Sequence, residues 1–252
     1  METSDINVEL IDYMGDDTRV PFVARVSTKE YKQLVFDPVS LKLDFKQSGI
    51  VWQGERDEGL IDYMAENGHW SPFAHCMMSF RVTAPLFVAR QLQKSTVGLA
   101  WNEISRRYVN TPPAFYIPEP RKKAEHVKQG SSEEVVKEVC FDDGDEPPEF
   151  FPTEMLFEAY YASSLHLYNS MIAGEVAPEV ARAVLPQGMM TQWIWTGSLY
   201  AFARVCHLRL DSHAQKESGI VARKIYGYMQ KIFPVSTKYL LKEIDNADEA
   251  DS

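Results

Sequence analysis

The hydrophobic pattern switches between two periods along the chain. From Cys76 to Thr83, Met78, Phe80 and Val82 alternate with polar neighbours, which predicts a strand buried on one face. Ile6 to Ile11 is a shorter strand candidate, followed by a Gly15-Asp16-Asp17 turn, and Met190 to Trp195 is apolar and β-like. Helical spacing governs other stretches. Residues 54–66 place Leu60, Ile61, Tyr63 and Met64 on a helix that Asn67-Gly68 closes. Leu86, Val88, Ala89 and Leu92 repeat that spacing behind Pro85, a first-turn proline. Residues 153–173 read as a long amphipathic helix with Leu156, Tyr160, Leu167 and Met171 facing a core. Pro178 opens the next helix, another starts at Gly197 and runs to His207, and the last ends at Phe233 with Ile220, Val221, Ile225 and Met229 inward.

Between these elements the composition changes. Residues 109–120 are Pro-rich and should be extended. Residues 121–150 form an excursion: eight acids stand against one lysine from Glu133 to Glu149, which reads as solvated surface. A calcium loop would need EF-hand spacing and a closing Glu, and both are missing. Residues 246–252 are an acidic tail, expected to be mobile. The whole chain, 1–252, is read as one domain carrying these two appendages, with 45% hydrophobic residues to fill a core. No apolar run approaches 18 residues, and the N-terminus lacks a signal-peptide core, so no membrane association is expected. Cys76, Cys140 and Cys206 show no CxxC spacing and are odd in number, which fits a reducing cytoplasm, or a host's cytoplasm for a viral chain. The net charge of −10 argues against general nucleic-acid binding.

Against that acidic background one segment is cationic. From Arg81 to Arg107 there are five cations (Arg81, Arg90, Lys94, Arg106, Arg107) and a single acid, Glu103. Such an island suits a small anion, most simply a phosphate, or else is a solvated basic helix end. The stretch after Leu92 reads as a Gly-containing loop ending in Asn102-Glu103-Ile104-Ser105-Arg106-Arg107-Tyr108.

This segment resembles the signature of the flavin-dependent thymidylate synthases, R-Q-x-x-R-H-R-x-x-S-x-N-E-x-S-x-R-Y. Arg90, Gln91, Asn102, Glu103, Ser105, Arg107 and Tyr108 match. Three more blocks resemble the family in the same order. They are His69-Trp70-Ser71-Pro72-Phe73-Ala74-His75, the Pro178–Pro186 stretch with Arg182, and Leu208-Arg209 followed by His213-Ala214-Gln215-Lys216-Glu217. The early Ala24-Arg25-Val26-Ser27 is a weaker likeness. The chain departs where the family shows Arg-His-Arg: it has Lys94-Ser95-Thr96, and eight residues rather than seven then precede Ser105. Ser198 and Tyr200 stand where the family usually shows Asn and Arg, and Arg204 is placed to return one charge.

The resemblance implies an α+β fold, a mixed or antiparallel sheet wrapped by helices, assembled as a homotetramer. It implies reductive methylation of dUMP to dTMP, with methylenetetrahydrofolate as carbon donor, FAD as hydride carrier and NADPH as reductant. By the same resemblance dUMP is held by Arg90, Gln91, Lys94, Glu103, Ser105, Arg107, Arg182 and Arg209. Arg209 is the catalytic residue, facing the pyrimidine as it becomes nucleophilic. FAD is held by His69, Ser71, Lys94, Ser95, Thr96, Asn102, Glu103, Ser198, Tyr200 and Arg204. Ser105 is read as a binding hydroxyl, since no His or Lys is placed by sequence to activate it. His207, Asp211 and His213 do not read as a metal site, because His213 falls off the face the other two share; Asp211 and His213 are expected to cap the following helix or orient its neighbours. Open alternatives are another flavin-dependent alkylation of dUMP such as hydroxymethylation, a silent nucleotide-binding homologue, and a structural protein with chance matches.

Overall fold

Alternating apolar residues make the centre of the molecule, because a strand with one wet and one dry face must cover the dry face with helices. The computed structural model describes residues 1–28, 51–109, 111–124, 130–142, 144, 147–211 and 213–244. In chain order the elements are β1 (Asn7–Met14), α1 (Arg19–Ala24), α2 (Glu55–Glu66), β2 (Met77–Pro85), α3 (Leu86–Leu92), β3 (Leu99–Glu103), β4 (Arg121–Lys123), β5 (Ser131–Val135), β6 (Glu138–Phe141) and β7 (Glu149–Pro152). Then follow α4 (Thr153–Ala173), α5 (Pro178–Ala181), β8 (Met190–Ser198), α6 (Leu199–Arg209), α7 (Lys216–Ile232) and α8 (Pro234–Leu240). Four strands form one antiparallel sheet in the order β1-β2-β8-β3. The fold is thus α+β, as expected, and no helix among the described residues is long and apolar enough to cross a membrane.

Met78, Phe80 and Val82 of β2, with Trp193 and Trp195 of β8, point into the main core beside Phe202 of α6 and Val221, Ile225 and Met229 of α7. Phe80 and Trp195 both meet the Phe202 ring edge-on, at 5.0 and 5.4 Å. The other face of the sheet is held by polar pairs, Ser79 with Thr196 at 2.8 Å and Gln192 to Thr83 at 3.1 Å.

Several expectations need correction. The stretch after Leu92 is only partly loop: Leu99–Glu103 pairs with β8 as an edge strand, and Trp101 stacks on Trp193 at 4.3 Å. That burial outweighs the weak strand preference of Asn102 and Glu103. Gly98 and Gly197 make the junction possible. Gly98 has φ +75°, and a Cβ on Gly197 would lie 2.7 Å from the Gly98 carbonyl and strike the Leu99 side chain. Pro85 ends β2 and caps α3 rather than entering its first turn. The chain also continues past Phe233 into α8, whose first backbone amides, those of Val235 and Ser236, donate to the Asp17 carboxylate at 2.8 and 2.9 Å. Burial pushes the Asp17 carboxyl above its ordinary value, against the lowering effect of those bonds.

On α4 the expected inward face is rotated. Tyr161, Ser164 and Tyr168 are buried, whereas Tyr160 is 59% and Leu167 49% exposed; Leu156 and Met171 are half-buried. The helix is apolar on more than one side, so its own period does not select a face. Phe115 does, stacking on Tyr161 at 5.2 Å within a second core that includes Leu185 and Met189. The described residues of the acidic excursion are mostly exposed, and its strands pair as two hairpins, β4-β5 and β6-β7. The first is tied down by a buried ion pair, Arg121 with Glu217, at 8% and 2% side-chain exposure. Removing one partner of such a pair costs about 3–5 kcal/mol. The tail 246–252 and Ser27's side chain lie outside the described residues.

Candidate functional site

Where β2 passes into α3, and β3 and β8 run beside the turn after α5, the surface opens into a cavity of about 690 Å3. Arg90, Arg106 and Arg182 line it with Glu103, Thr191 and Gln192. They come from several elements, Thr191 and Gln192 both from β8. Arg90 lies in the last turn of α3, Glu103 ends β3, and Arg182 begins the short 3-10 turn after α5. Glu103 is fixed by two donors, the Thr191 hydroxyl at 2.7 Å and the Trp101 indole at 3.3 Å. Arg106 donates to the Thr111 carbonyl at 2.6 Å. Burial draws its guanidinium below the usual value, an effect opposed by its contact with Tyr168. Arg182 donates from Nε to the Glu179 carbonyl at 3.3 Å. The cavity therefore offers cations for an anionic group and a held carboxylate that can accept from hydroxyls or N–H groups.

The motif's other residues do not all reach this cavity. Arg107 pairs with Glu179 at 3.1 Å, both about half exposed. Ser105 accepts from the Arg107 amide at 3.3 Å. Gln91 is turned away: its Oε1 accepts from the buried Ser218 hydroxyl, and its carbonyl accepts from Arg209 at 3.4 Å. Arg209 Nε is buried without a partner among the described residues, and burial lowers the guanidinium's pKa. Asn102 is exposed on β3.

A second, smaller pocket of about 130 Å3 gathers Lys94, Ser95, Thr96 and Arg204, with Leu99, Ala201 and Leu208. The Lys94 segment and Arg204, far apart in sequence, thus share one site. The Ser198 hydroxyl accepts from the Ala201 amide at 3.2 Å, capping α6. Tyr200 meets Trp70 at 6.3 Å, and His69 meets Tyr63 edge-on at 5.7 Å. His69, Trp70 and Ser71 are all exposed. Asp211 does not cap the next helix: its carboxylate accepts from the His213 amide at 2.8 Å in a local turn, and Gln215 occupies the N-cap of α7. Among the described residues no group of three or more His, Cys, Asp or Glu side chains converges as metal ligands would.

Sequence reasoning left Arg106, Thr191 and Glu179 out of the site. Arg106 occupies a position the motif leaves open, next to the motif's own arginine, so only its direction distinguishes the two. Thr191 had no signal in the sequence beyond lying in a strand. Glu179 lay inside the Pro178–Pro186 block but was overshadowed by Arg182.

A family model described as thymidylate synthase complementing protein matches residues 9–235. The flavin-dependent thymidylate synthase of Thermosipho africanus is 33% identical over 235 residues, covering 93% of this chain and 90% of that protein. The one from Streptomyces coelicolor is 34% identical over 240 residues, 92% of this chain and 89% of that protein. Among solved structures, the UMP/dUMP methylase PolB from Streptomyces cacaoi bound with 5-Br dUMP has a TM-score of 0.74 at 28% identity, covering 95% of this chain and 96% of that one. The same methylase bound with 5-Br UMP has a TM-score of 0.69 at 26% identity, covering 95% of each chain. The four ordered motif blocks and matches running nearly end to end place the chain in the thymidylate synthase complementing protein family, that of the flavin-dependent thymidylate synthases.

Proposed function

We propose that the protein methylates dUMP to dTMP, taking the carbon from methylenetetrahydrofolate and reducing it through FAD at the expense of NADPH. The observation that carries this is the cavity in which Arg90, Arg106 and Arg182 converge with the anchored Glu103. A nucleoside monophosphate presents a dianion at one end and hydroxyl and N–H donors at the other, and this cavity complements both. Arg209 is assigned to the edge of the pyrimidine. Among the described residues no carboxylate neutralises Arg209, so its guanidinium keeps its charge for a ring that becomes anionic during alkylation.

The residues of the smaller pocket fit part of a flavin dinucleotide. Lys94 and Arg204 supply cations and Ser95 and Thr96 hydroxyls, and about 130 Å3 suits a phosphate group rather than the whole molecule. The exposed Trp70–Tyr200 pair and His69 add planar surfaces suited to stacking. When bound, the flavin would supply the hydride that completes the methyl group. The chain's own residues bind, orient and hold charge. A homotetramer is part of the same reading, supported by the apolar surface that Tyr160, Leu167 and Met155 leave uncovered on α4.

One assay tests the proposal. The protein is incubated with FAD, NADPH, methylenetetrahydrofolate and dUMP, and the nucleotide is identified by mass. A product heavier by one CH2 is expected. A hydroxymethyl product replaces the reaction but keeps the site, and a colourless protein that binds dUMP without converting it overturns the flavin chemistry. A parallel run with UMP tests methylation of the ribonucleotide, a reading favoured by the similarity to a methylase solved with 5-Br UMP.

A further inference from the structure

We propose that the first hairpin of the acidic excursion belongs to the active-site frame: Arg121 and Glu217 together form a brace that fixes Arg209. The inference rests on the reading above that Arg209 faces the reacting pyrimidine.

Arg121, the first residue of β4, donates from one terminal nitrogen to both Glu217 oxygens, at 3.1 and 3.2 Å. Its Nε donates to the Ser131 hydroxyl at 2.7 Å, so the hairpin's second strand holds the same guanidinium. Both charged side chains are nearly sealed from solvent. A charge-assisted contact of this kind sets direction as well as distance. Burying two charges is a costly way to hang a loop on a surface, because desolvation can exceed the Coulomb gain. Its position gives it a different use.

Glu217 lies in the first turn of α7, and the two residues after it lead to Arg209. Ser218 is fully buried and gives its hydroxyl to Gln91 Oε1. The Gln91 carbonyl in turn accepts from Arg209 at 3.4 Å. Gly219 brings α7 directly against the same residue, since a Cβ there would lie 3.2 Å from the Arg209 carbonyl. Gly130, just before β5, also approaches the connection between α6 and α7, a Cβ there lying 3.7 Å from the His213 carbonyl. The start of α7 therefore bounds Arg209 from two directions, and Arg121 clamps that start from outside. Arg121 and Glu217 are positioning residues: they touch neither cavity, and their effect passes through Ser218, Gln91 and Gly219.

The test is a double-mutant cycle on the full-length protein, read as dUMP turnover and as calorimetric binding of 5-bromo-dUMP. Arg121→Lys and Glu217→Gln should each lower kcat about 10-fold, because the first loses the guanidinium that holds Glu217 and Ser131 together and the second loses the charge of the pair. KM should stay within about 3-fold, the split expected when an interaction acts mainly in the transition state. In an Arg209→Ala background the same substitutions should change neither kcat nor the affinity for 5-bromo-dUMP further. Where a single substitution lowers the melting temperature too far, Arg121→Met with Glu217→Leu removes both buried charges and should still show the reduced kcat in a folded protein. Wild-type kcat in that folded double variant, or additive effects with Arg209→Ala, overturns the brace. Wild-type turnover in Arg209→Ala alone has a separate meaning: it overturns the role of Arg209 and leaves the ion pair as a support of the fold.

Discussion

In the larger cavity Arg106 is tied to the Thr111 carbonyl, Arg182 to the Glu179 carbonyl, and Glu103 to Thr191 and Trp101. In the smaller pocket Lys94, Thr96 and Arg204 are exposed, and among the described residues no hydrogen bond or ion pair fixes the head groups of Lys94 or Arg204. The two pockets thus use similar cations under different constraints. A ligand of the large cavity meets two arginines already tied to carbonyls, Arg106 and Arg182, beside the exposed Arg90. A ligand of the small one must immobilise a lysine and an arginine, at about 0.5–1.5 kcal/mol for each flexible side chain. The difference follows the motif: the chain keeps Arg90, Glu103 and Arg182 in the first and replaces Arg-His-Arg by Lys94-Ser95-Thr96 in the second. Affinity for the nucleotide should be set by preorganisation, and affinity for the flavin should respond more to salt and to loop sequence.

Arg209 lines neither pocket; it donates to the carbonyl of Gln91, the neighbour of Arg90, and follows Leu208 of the small pocket. Its loss should have the largest effect. Arg209→Ala should lower turnover roughly 10²-fold or more in a folded protein, and Arg209→Lys should rescue it poorly. Steady-state kinetics beside a thermal melt separate this from a folding defect.

The next test contrasts adjacent arginines. A charged hydrogen bond contributes about 1.5–3 kcal/mol, so Arg106→Ala should raise KM for dUMP by roughly 10- to 100-fold. Arg107→Ala removes a half-exposed pair worth about 0–1 kcal/mol and should cost a few-fold at most. The reverse order would show that Arg107 leaves Glu179 when nucleotide binds.

For the small pocket, Lys94→Ala should weaken FAD binding by about 1–2 kcal/mol, the range for losing one charge-assisted contact in an exposed site. Titrating FAD fluorescence at two salt concentrations checks it. Equal affinity for mutant and wild type would detach Lys94 from the flavin. The smallest effect is expected in the acidic connection between β6 and β7. Deleting Asp142 to Pro148 should leave turnover within a few-fold, because the segment's charge and composition contribute little to a core. A folded deletion variant with no activity would show that this end also reaches the site.

Much of the fold was legible because single strands and helices carry their own period. Met78, Phe80 and Val82 announced β2, and Val221, Ile225 and Met229 the inward face of α7. The faces that were misread lacked such a signal. On α4, apolar residues surround the helix, and Phe115 rather than periodicity chose Tyr161 over Tyr160. β3 is five residues long and half polar, so only its pairing with β8 and the stacking of Trp101 on Trp193 define it.

The site shows the same division. Residue type and order along the chain determined the family, the excess of cations in one segment, and the departure at Lys94-Ser95-Thr96, because these are properties of the covalent chain. Direction belonged to the tertiary structure. Arg106 and Arg107 are consecutive, yet one lines the cavity and the other pairs with Glu179. Gln91 matches the motif, yet its side chain is held by Ser218 and its carbonyl holds Arg209. Arg121 lies in a segment whose composition reads as solvated surface, yet it is buried against Glu217. In each case the choice depends on which distant element approaches. Long-range packing decides that, because a side chain's partner is set by the free energy of burial and hydrogen bonding across the whole fold.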